Sequence, residues 1–217
     1  GNYTSKNVGS NLGYSLTVAP NGADKDNYVI SNAVKSGSDY VISGADGAIT
    51  KADLTVTGLT ANNKTYDGTV NAALGGTAGV SALGSDTVSL DGSAIGVFAD
   101  KNVGTSKAIS ISGISLVGTD AGNYNLIQQT GLTANIIAKS ISAITGITAT
   151  DKTYDGNTNA SLNKDAAGFT GMVAGDKLTV ASASGAFADK NAGVAKTVSI
   201  TGLSLGGTDA SNYALST

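Results

Sequence analysis

Short stretches of alternating apolar and polar residues, separated by glycine, asparagine and aspartate, run along the whole chain. In ADLTVTGL (52–59), Leu54 and Val56 fall on one face, as in a half-buried strand. No 11-residue window holds a 3.6-residue apolar period, so the pattern argues against helices. It predicts an all-β fold, with further strands at Thr69–Leu74, Thr87–Leu90, Ala94–Phe98, Lys107–Ser112, Asn123–Gln128 and Leu132–Ile137.

Several motifs occur more than once. KTYDG (64–68) returns at 152–156, and FADKNVGTSKAISISGISLVGTDAGNY (98–124) returns, little changed, at 187–213. A weaker copy opens the chain, with YTSKNVGS at 3–10 and ADKDNY at 23–28. Internal repeats of this length indicate tandem domains. We therefore divide the chain into a first segment (1–50, the back half of a repeat), a complete middle repeat (51–138) and a third repeat (139–217), predicted to stop before its last strand.

A tyrosine follows the motif Asp-x-x-Asn in each copy. The sequences DKDNY, DAGNY and DASNY end at Tyr28, Tyr124 and Tyr213. They resemble the tyrosine corner of immunoglobulin-like domains, in which a tyrosine hydroxyl bonds back to the preceding loop, here around Asp120. Seven or so short strands per repeat likewise favour an immunoglobulin-like β-sandwich, with a barrel as the alternative. Apolar residues stand two positions after the tyrosines, where antibody domains carry cysteine: Ile30, Leu126 and Leu215.

The Tyr-Asp-Gly triplets are interpreted as turns. Aspartate followed by glycine is a strong turn signal, because glycine accepts positive φ and aspartate bonds its own backbone. The tyrosine of each triplet is expected to fix its turn to the domain; the alternative is a ligand-contacting loop. The triplet residues are Tyr66, Asp67 and Gly68 in the middle repeat, and Tyr154, Asp155 and Gly156 in the third.

Three aromatic residues and three lysine–asparagine pairs also recur. Tyr3, Phe98 and Phe187 are expected to be core anchors, rather than a platform for stacking sugars. The pairs Lys6–Asn7, Lys101–Asn102 and Lys190–Asn191 are expected in turns. A self-made crosslink within a pair is excluded, because adjacent residues of a strand point to opposite faces.

The composition leaves little catalytic chemistry. The charged residues are 16 aspartates and 13 lysines, with no Glu, Arg, His, Cys or Trp, so no catalytic triad can be assembled. We expect no enzyme activity, no cofactor and no metal. Calcium at Asp24, Asp26 and Asn27, or at Asp120 and Asn123, is the alternative to simple turns, but no stretch matches an EF-hand loop. A net charge of −3 with scattered lysines argues against nucleic-acid binding. No apolar run approaches the ~18 residues of a membrane span.

The ordered motifs KTYDG, FADKN-x-G and GTDA-x-NY resemble the bacterial YDG repeat domain, which is related to the mostly bacterial immunoglobulin-like repeats of very large exported surface proteins. The resemblance implies an extracellular adhesin of the filamentous, two-partner-secretion type, with these repeats in a stiff, elongated rod. That stalk would extend a binding tip for cell–cell, biofilm-matrix or host adhesion. The alternatives are a polysaccharide-binding module acting through its inter-strand loops and an accessory domain of a degradative enzyme.

The same resemblance implies the partners. Exopolysaccharide, or glycans and proteins on other cells, would be bound through regions outside these 217 residues. An outer-membrane transporter would act during export, and the absence of cysteine suits a chain that is threaded unfolded. The opening GNYTSKNVGS has no signal-peptide pattern, so an export signal is expected elsewhere.

Overall fold

The computed structural model describes residues 1–216 and is built of β-strands. Strands account for 53% of the residues, and the described part of the chain contains no α-helix. The all-β prediction is therefore confirmed. Three 3-10 turns are the only helical elements described, at Lys25–Asn27, Ala121–Asn123 and Ala210–Asn212. No helix in residues 1–216 is long and apolar enough to cross a membrane.

Twenty-two strands follow one another along the chain. They are β1 (Asn2–Tyr3), β2 (Gly9–Val18), β3 (Val34–Ser36), β4 (Asp39–Ile49), β5 (Ala52–Thr55), β6 (Thr57–Ala61), β7 (Lys64–Thr65), β8 (Asn71–Ala72), β9 (Leu74–Gly79), β10 (Ser89–Phe98), β11 (Gly104–Val117), β12 (Tyr124–Ile127), β13 (Thr133–Ile137), β14 (Lys139–Ile141), β15 (Ala143–Thr145), β16 (Thr148–Ala149), β17 (Asn159–Ala160), β18 (Leu162–Asn163), β19 (Gly168–Thr170), β20 (Thr179–Phe187), β21 (Val198–Gly206) and β22 (Tyr213–Leu215).

The chain forms two compact units. The first unit comprises Gly1–Gly58, Thr77–Ala94 and Gly113–Gln129. It contains an antiparallel sheet in the order β1-β2-β4-β3 and a parallel pair, β12-β5. Its buried apolar side chains are Tyr40, Leu54, Val56, Ile114 and Tyr124.

The second unit comprises Leu59–Gly76, Ile95–Ser112 and Thr130–Thr217. In the third repeat, β17-β20-β21 form an antiparallel sheet, and β14 pairs in parallel with β22. In the middle repeat, β13 lies between β7 and β11, in a sheet of order β7-β13-β11-β10-β8. The remaining pairs are β6-β9, β15-β19 and β16-β18. The buried apolar residues of this unit are Leu59, Tyr66, Phe98, Ile109, Ile111, Ala134, Ile136, Ile141, Val180 and Tyr213.

One strand of the middle repeat is longer than its sequence suggests. Separate strands were predicted at Thr87–Leu90 and Ala94–Phe98, but the structure has the single strand β10. The prediction was wrong because Asp91-Gly92 resembles a turn. Gly92 has φ of 88°, and a Cβ there would lie 2.3 Å from the carbonyl oxygen of Gly113. Glycine at this position permits close approach of the neighbouring strand instead of ending β10.

Two of the expected core anchors are less buried than predicted. Phe98 is buried and Phe187 is half-buried. Tyr3 is 48% exposed, and its ring meets that of Tyr14 edge to face, with 6.5 Å between centroids. Tyr3 is therefore not a core residue, and its ring packs against the half-buried Tyr14 of the adjacent strand β2.

Candidate functional site

The Asp-x-x-Asn-Tyr motif forms the same turn in all three copies. Each copy places a 3-10 turn immediately before its tyrosine. The Tyr124 hydroxyl donates to Asp86 Oδ2 at 2.8 Å and accepts from the Leu83 amide at 3.0 Å. The predicted bond to the loop around Asp120 is therefore wrong. Asp120 Oδ2 accepts instead from the Thr87 amide at 2.9 Å, and Asp86 supplies the carboxylate that the phenol meets.

The third repeat repeats this arrangement, whereas the first segment does not. Tyr213 donates to Asp176 Oδ2 at 2.6 Å and accepts from the Val173 amide at 2.9 Å. Tyr28, predicted to be equivalent, is 72% exposed. In the other two copies, the partner aspartate stands 37 or 38 positions before its tyrosine.

Within the first unit, a loop of the first segment binds this tyrosine turn of the middle repeat. We call Lys6–Val8, and its counterparts Lys101–Val103 and Lys190–Ala192, the lysine loops. Lys6 Nζ lies 2.5 Å from Asp86 Oδ1 and 3.0 Å from Asp120 Oδ1. Asn123 closes the contact, because its Oδ1 accepts from the Val8 amide at 2.8 Å.

Within the second unit, the lysine loop of the middle repeat binds the third repeat in the same way. Lys101 Nζ lies 3.3 Å from Asp176 Oδ1 and 3.8 Å from Asp209 Oδ1. Asn212 Oδ1 accepts from the Val103 amide at 2.9 Å. The same set of contacts thus joins successive repeats at two places: a lysine lies between two aspartates, and an asparagine accepts a hydrogen bond from a backbone amide. We call it the repeat junction.

Tyr66 adds a further contact to the second junction. It is 1% exposed, and its hydroxyl donates to Asp176 Oδ2 at 2.8 Å. Its ring meets that of Tyr213 edge to face, at 5.5 Å between centroids. Lys101 Nζ lies 5.8 Å from the centre of the Tyr66 ring. Asp176 therefore receives two phenol hydroxyls and one ammonium, from both repeats.

The hydrogen-bond donors around the two aspartates shift the pKa values at both junctions. Burial raises the pKa of Asp176, but hydrogen bonds from Tyr213, Tyr66 and Lys101 outweigh it and leave the pKa below its usual value. The hydrogen bond from Lys6, followed by that from Tyr124, lowers the pKa of Asp86. Burial, with the bond to Asp176, raises the pKa of Tyr213 to about 12. Both aspartates are thus held as carboxylates.

The two Tyr-Asp-Gly triplets form turns of the same kind. Asp67 Oδ1 accepts from the Thr69 amide at 2.9 Å, and Asp155 Oδ1 accepts from the Asn157 amide at 3.1 Å. Gly68 and Gly156 have φ of 78° and 80°.

The tyrosines of these triplets differ. Tyr66 is buried at the junction, but Tyr154 is 60% exposed. The expectation that Tyr154 fixes its turn to the domain is therefore wrong. Tyr66 is buried because Asp176 and Tyr213 of the following repeat meet its hydroxyl and its ring.

The lysine–asparagine pairs lie in turns whose backbone is held by the preceding residues. Asn102 N and Asn191 N donate to Asp100 and Asp189 respectively, each at 2.8 Å. In the first segment, Asn7 N donates to Ser5 Oγ at 3.0 Å. At the alternative calcium site, Asp120 and Asn123 each already accept a hydrogen bond from a backbone amide, those of Thr87 and Val8. Residues 1–216 contain no group of three or more potential metal-ligating side chains of the kinds His, Cys, Asp and Glu.

The sequence did not lead us to predict that Asp86 and Asp176 bind the tyrosines. They lie outside the motifs that repeat most clearly, and their spacing of 90 positions differs from that of the tyrosines they bind. The available signal was a glycine one or two positions before each aspartate, in AGD and GSD. Glycine and aspartate indicate a turn, but nothing in the sequence shows that a distant tyrosine reaches it.

Comparison with known families agrees with the repeat structure of the chain. The family model described as the YDG domain matches residues 50–131 and again residues 138–217. The chain belongs to the YDG domain family. Each matched YDG region includes one Tyr-Asp-Gly turn, one lysine loop and one tyrosine turn. The curated proteins and the solved structures that were searched contain no match to this YDG chain.

Replacing Tyr124 with phenylalanine should destabilise the first unit of the YDG chain by about 1–2 kcal/mol. The change keeps the ring but removes a donor to Asp86 and leaves the Leu83 amide without its acceptor. Tyr28→Phe is the matched control, since Tyr28 occupies the same motif position in an exposed site, and it should change stability by less than about 0.5 kcal/mol. Urea unfolding measures both. Equal stability of the two variants would contradict the prediction that the hydrogen bonds of the Tyr124 hydroxyl stabilise the unit.

Stability should fall at both ends of the pH range. Below about pH 4, the unfolded chain takes up a proton at Asp176 while the folded chain resists it, because the folded pKa is lowered. From about pH 10 to about 12, the unfolded chain loses the Tyr213 proton while the folded chain keeps it, because its folded pKa is about 12. Thermal unfolding from pH 2 to 12 measures both limbs. Asp176→Asn should flatten the acid limb and Tyr213→Phe the alkaline limb; unchanged slopes would contradict the assignment.

Proposed function

We propose that this YDG chain is a non-catalytic spacer, part of the stalk of a bacterial surface or secreted adhesin. The observation that carries the proposal is the repeat junction. The same lysine, two aspartates and asparagine occur at two successive junctions, each inside one compact unit. Contacts that join every repeat to the next suit a segment whose role is to hold a distance, because free linkers would let the repeats reorient.

The charge pattern of the junction supports a structural role. Asp176 has a lowered pKa, and a perturbed pKa can mark a catalytic carboxylate. Here its oxygens are occupied by Tyr66, Tyr213 and Lys101. A carboxylate whose acceptor positions are filled by protein donors is poorly placed to act on a substrate. Its perturbation therefore favours a structural ion-pair network.

The location and the export route are proposed from resemblance and composition. YDG-type repeats resemble those of large exported bacterial surface proteins, in which two-partner secretion moves the unfolded chain through an outer-membrane transporter. The absence of cysteine among 217 residues suits that route, because no disulfide could form before translocation. Adhesion to other cells, to host tissue or to biofilm matrix would then be carried by a tip outside this segment.

For the YDG repeat itself, we propose an immunoglobulin-like sandwich. Support comes from the middle repeat, where a sheet of order β7-β13-β11-β10-β8 accompanies the separate pairs β12-β5 and β6-β9. A buried tyrosine at the start of β12, with its hydroxyl bonded to a loop, is a further feature of that fold. The parallel pairing of β12 with β5 would be a variation on that fold. An experimental structure tests the proposal by showing whether two sheets pack face to face in each repeat.

Small-angle X-ray scattering tests the spacer proposal. A junction variant carries Tyr66→Ser and Lys101→Ser, and the matched control carries Tyr154→Ser and Lys190→Ser, the same positions of the third repeat. The control should give the distance distribution of the parent chain. The junction variant should give a broader distribution, because it removes the two side chains that make three contacts with Asp176 and Asp209. Circular dichroism verifies that both remain folded, and three identical distributions would contradict the proposal.

A glycan array separates this function from direct polysaccharide binding. The spacer proposal predicts no saturable binding of the chain to any glycan. Micromolar binding that is lost when a single inter-strand loop is changed would favour a binding module instead.

A further inference from the structure

The lysine of the KTYDG motif holds its ammonium group among several oxygen atoms of the same turn. Lys64 Nζ donates to Asp67 Oδ1 at 2.8 Å, to the Thr69 carbonyl at 2.8 Å and to the Asn71 carbonyl at 3.0 Å. The Thr69 hydroxyl is a further oxygen, at 3.1 Å. A lysine ammonium has three donors, so these oxygens can satisfy all of them. We call the oxygens of Asp67, Thr69 and Asn71 the ammonium cage.

The ammonium cage is shielded from water. Only 12% of the Lys64 side chain is exposed, and Nζ lies 5.6 Å from the centre of the buried Phe98 ring. Removing an ammonium from water is costly unless it is paired and hydrogen-bonded. The Asp67 carboxylate supplies the opposite charge, and the ring supplies a cation–π contact. The turn therefore binds the ammonium of Lys64 as it would bind a small cation.

The contacts of Lys64 close the chain around Tyr66. The lysine precedes the tyrosine, and the oxygens that it binds all follow the tyrosine, so residues 64–71 form a closed loop. Asp67 Oδ1 also accepts from the Thr69 amide at 2.9 Å within this loop. Tyr66 N donates to the Ile137 carbonyl at 2.8 Å. The backbone is thus held on both sides of the tyrosine.

The third repeat builds the same cage with a different residue. Lys152 Nζ donates to Asp155 Oδ1 at 2.7 Å and to both the carbonyl oxygen and Oδ1 of Asn157 at 2.9 Å. Asn157 aligns with Thr69, so a side-chain oxygen is kept although the residue type changes. Tyr154 of this turn is 60% exposed. The cage therefore shapes the turn without a buried tyrosine.

We propose that Lys64 is a positioning residue of the repeat junction: its ammonium holds the turn closed and so directs the Tyr66 hydroxyl to Asp176. That hydroxyl lies 2.8 Å from Asp176 Oδ2, and Tyr66 is 1% exposed. A hydrogen bond weakens steeply as its geometry departs from the ideal, so the backbone that carries the ring must be held. The inference does not depend on the adhesin role, since it concerns only how the second unit holds Tyr66.

Nitration of the tyrosines of the full chain by tetranitromethane, mapped by mass spectrometry, tests the proposal. In the parent, Tyr154 should react readily, and Tyr66 and Tyr213 slowly, because a buried ring reacts only through local opening. Lys64→Met keeps a long side chain but removes the ammonium, and it should speed the nitration of Tyr66 about tenfold. Tyr213 should stay protected, because its own repeat still bonds its hydroxyl.

A matched control and a chemical rescue complete the experiment. Lys152→Met makes the same change in the third repeat and should leave Tyr66 protected. In Lys64→Ala, added n-propylammonium replaces the atoms that the substitution removes and should restore the protection of Tyr66. Tetramethylammonium has no N–H donor and should not restore it.

Four results would overturn the proposal. They are an unchanged nitration rate of Tyr66 in Lys64→Met, equal acceleration at Tyr66 and Tyr213, equal effects of the two added cations on Lys64→Ala, and loss of the β circular dichroism spectrum in Lys64→Met. The second and the fourth would show that Lys64 supports the whole unit and does not act locally on Tyr66.

Discussion

The fold of the second unit depends on one carboxylate shared between two repeats. Asp176 is nearly buried, with 5% of its side chain exposed. Burying a carboxylate is costly unless its oxygens are hydrogen-bonded or paired with a cation. Tyr213 supplies one donor from the same repeat, but Tyr66 and Lys101 come from the preceding one. Removing the preceding repeat would leave Asp176 with too few donors, so the two repeats stabilise each other.

The first junction shares part of this arrangement. Asp86 has the same kinds of partner, the tyrosine Tyr124 and the lysine Lys6. The side chain of Lys6 is 62% exposed, against 40% for Lys101. An exposed ion pair contributes less than a buried one, because water screens the charges. The lysine loop and the tyrosine turn are common to both junctions, and Tyr66 adds a hydrogen bond to Asp176 at the second.

Much of the fold was predictable, because it rests on local signals. Alternation at Leu54 and Val56 identified a buried face, and Asp-Gly at 67–68 identified a turn. The tyrosine motif identified Tyr124 as a hydrogen-bonding residue but named the wrong partner. Asp86 is 38 residues away, and no local pattern encodes a contact over that distance.

The junction itself could not be predicted, because its residues come from different repeats. Identical motifs then have different environments. Tyr66 and Tyr154 belong to the same pentapeptide, yet one is buried and the other exposed. Sequence repetition predicts equal local structure, whereas burial also depends on which neighbour each copy has.

The coupling between Tyr66 and Asp176 tests the central claim most directly. A double-mutant cycle combines Tyr66→Phe with Asp176→Ala and measures the unfolding free energy of the full chain for the parent, both single variants and the double variant. The account predicts a coupling of about 1–2 kcal/mol, because the two side chains share a buried hydrogen bond across the junction. Additive effects, with a coupling near zero, would show that Asp176 does not bind the preceding repeat and would contradict the account.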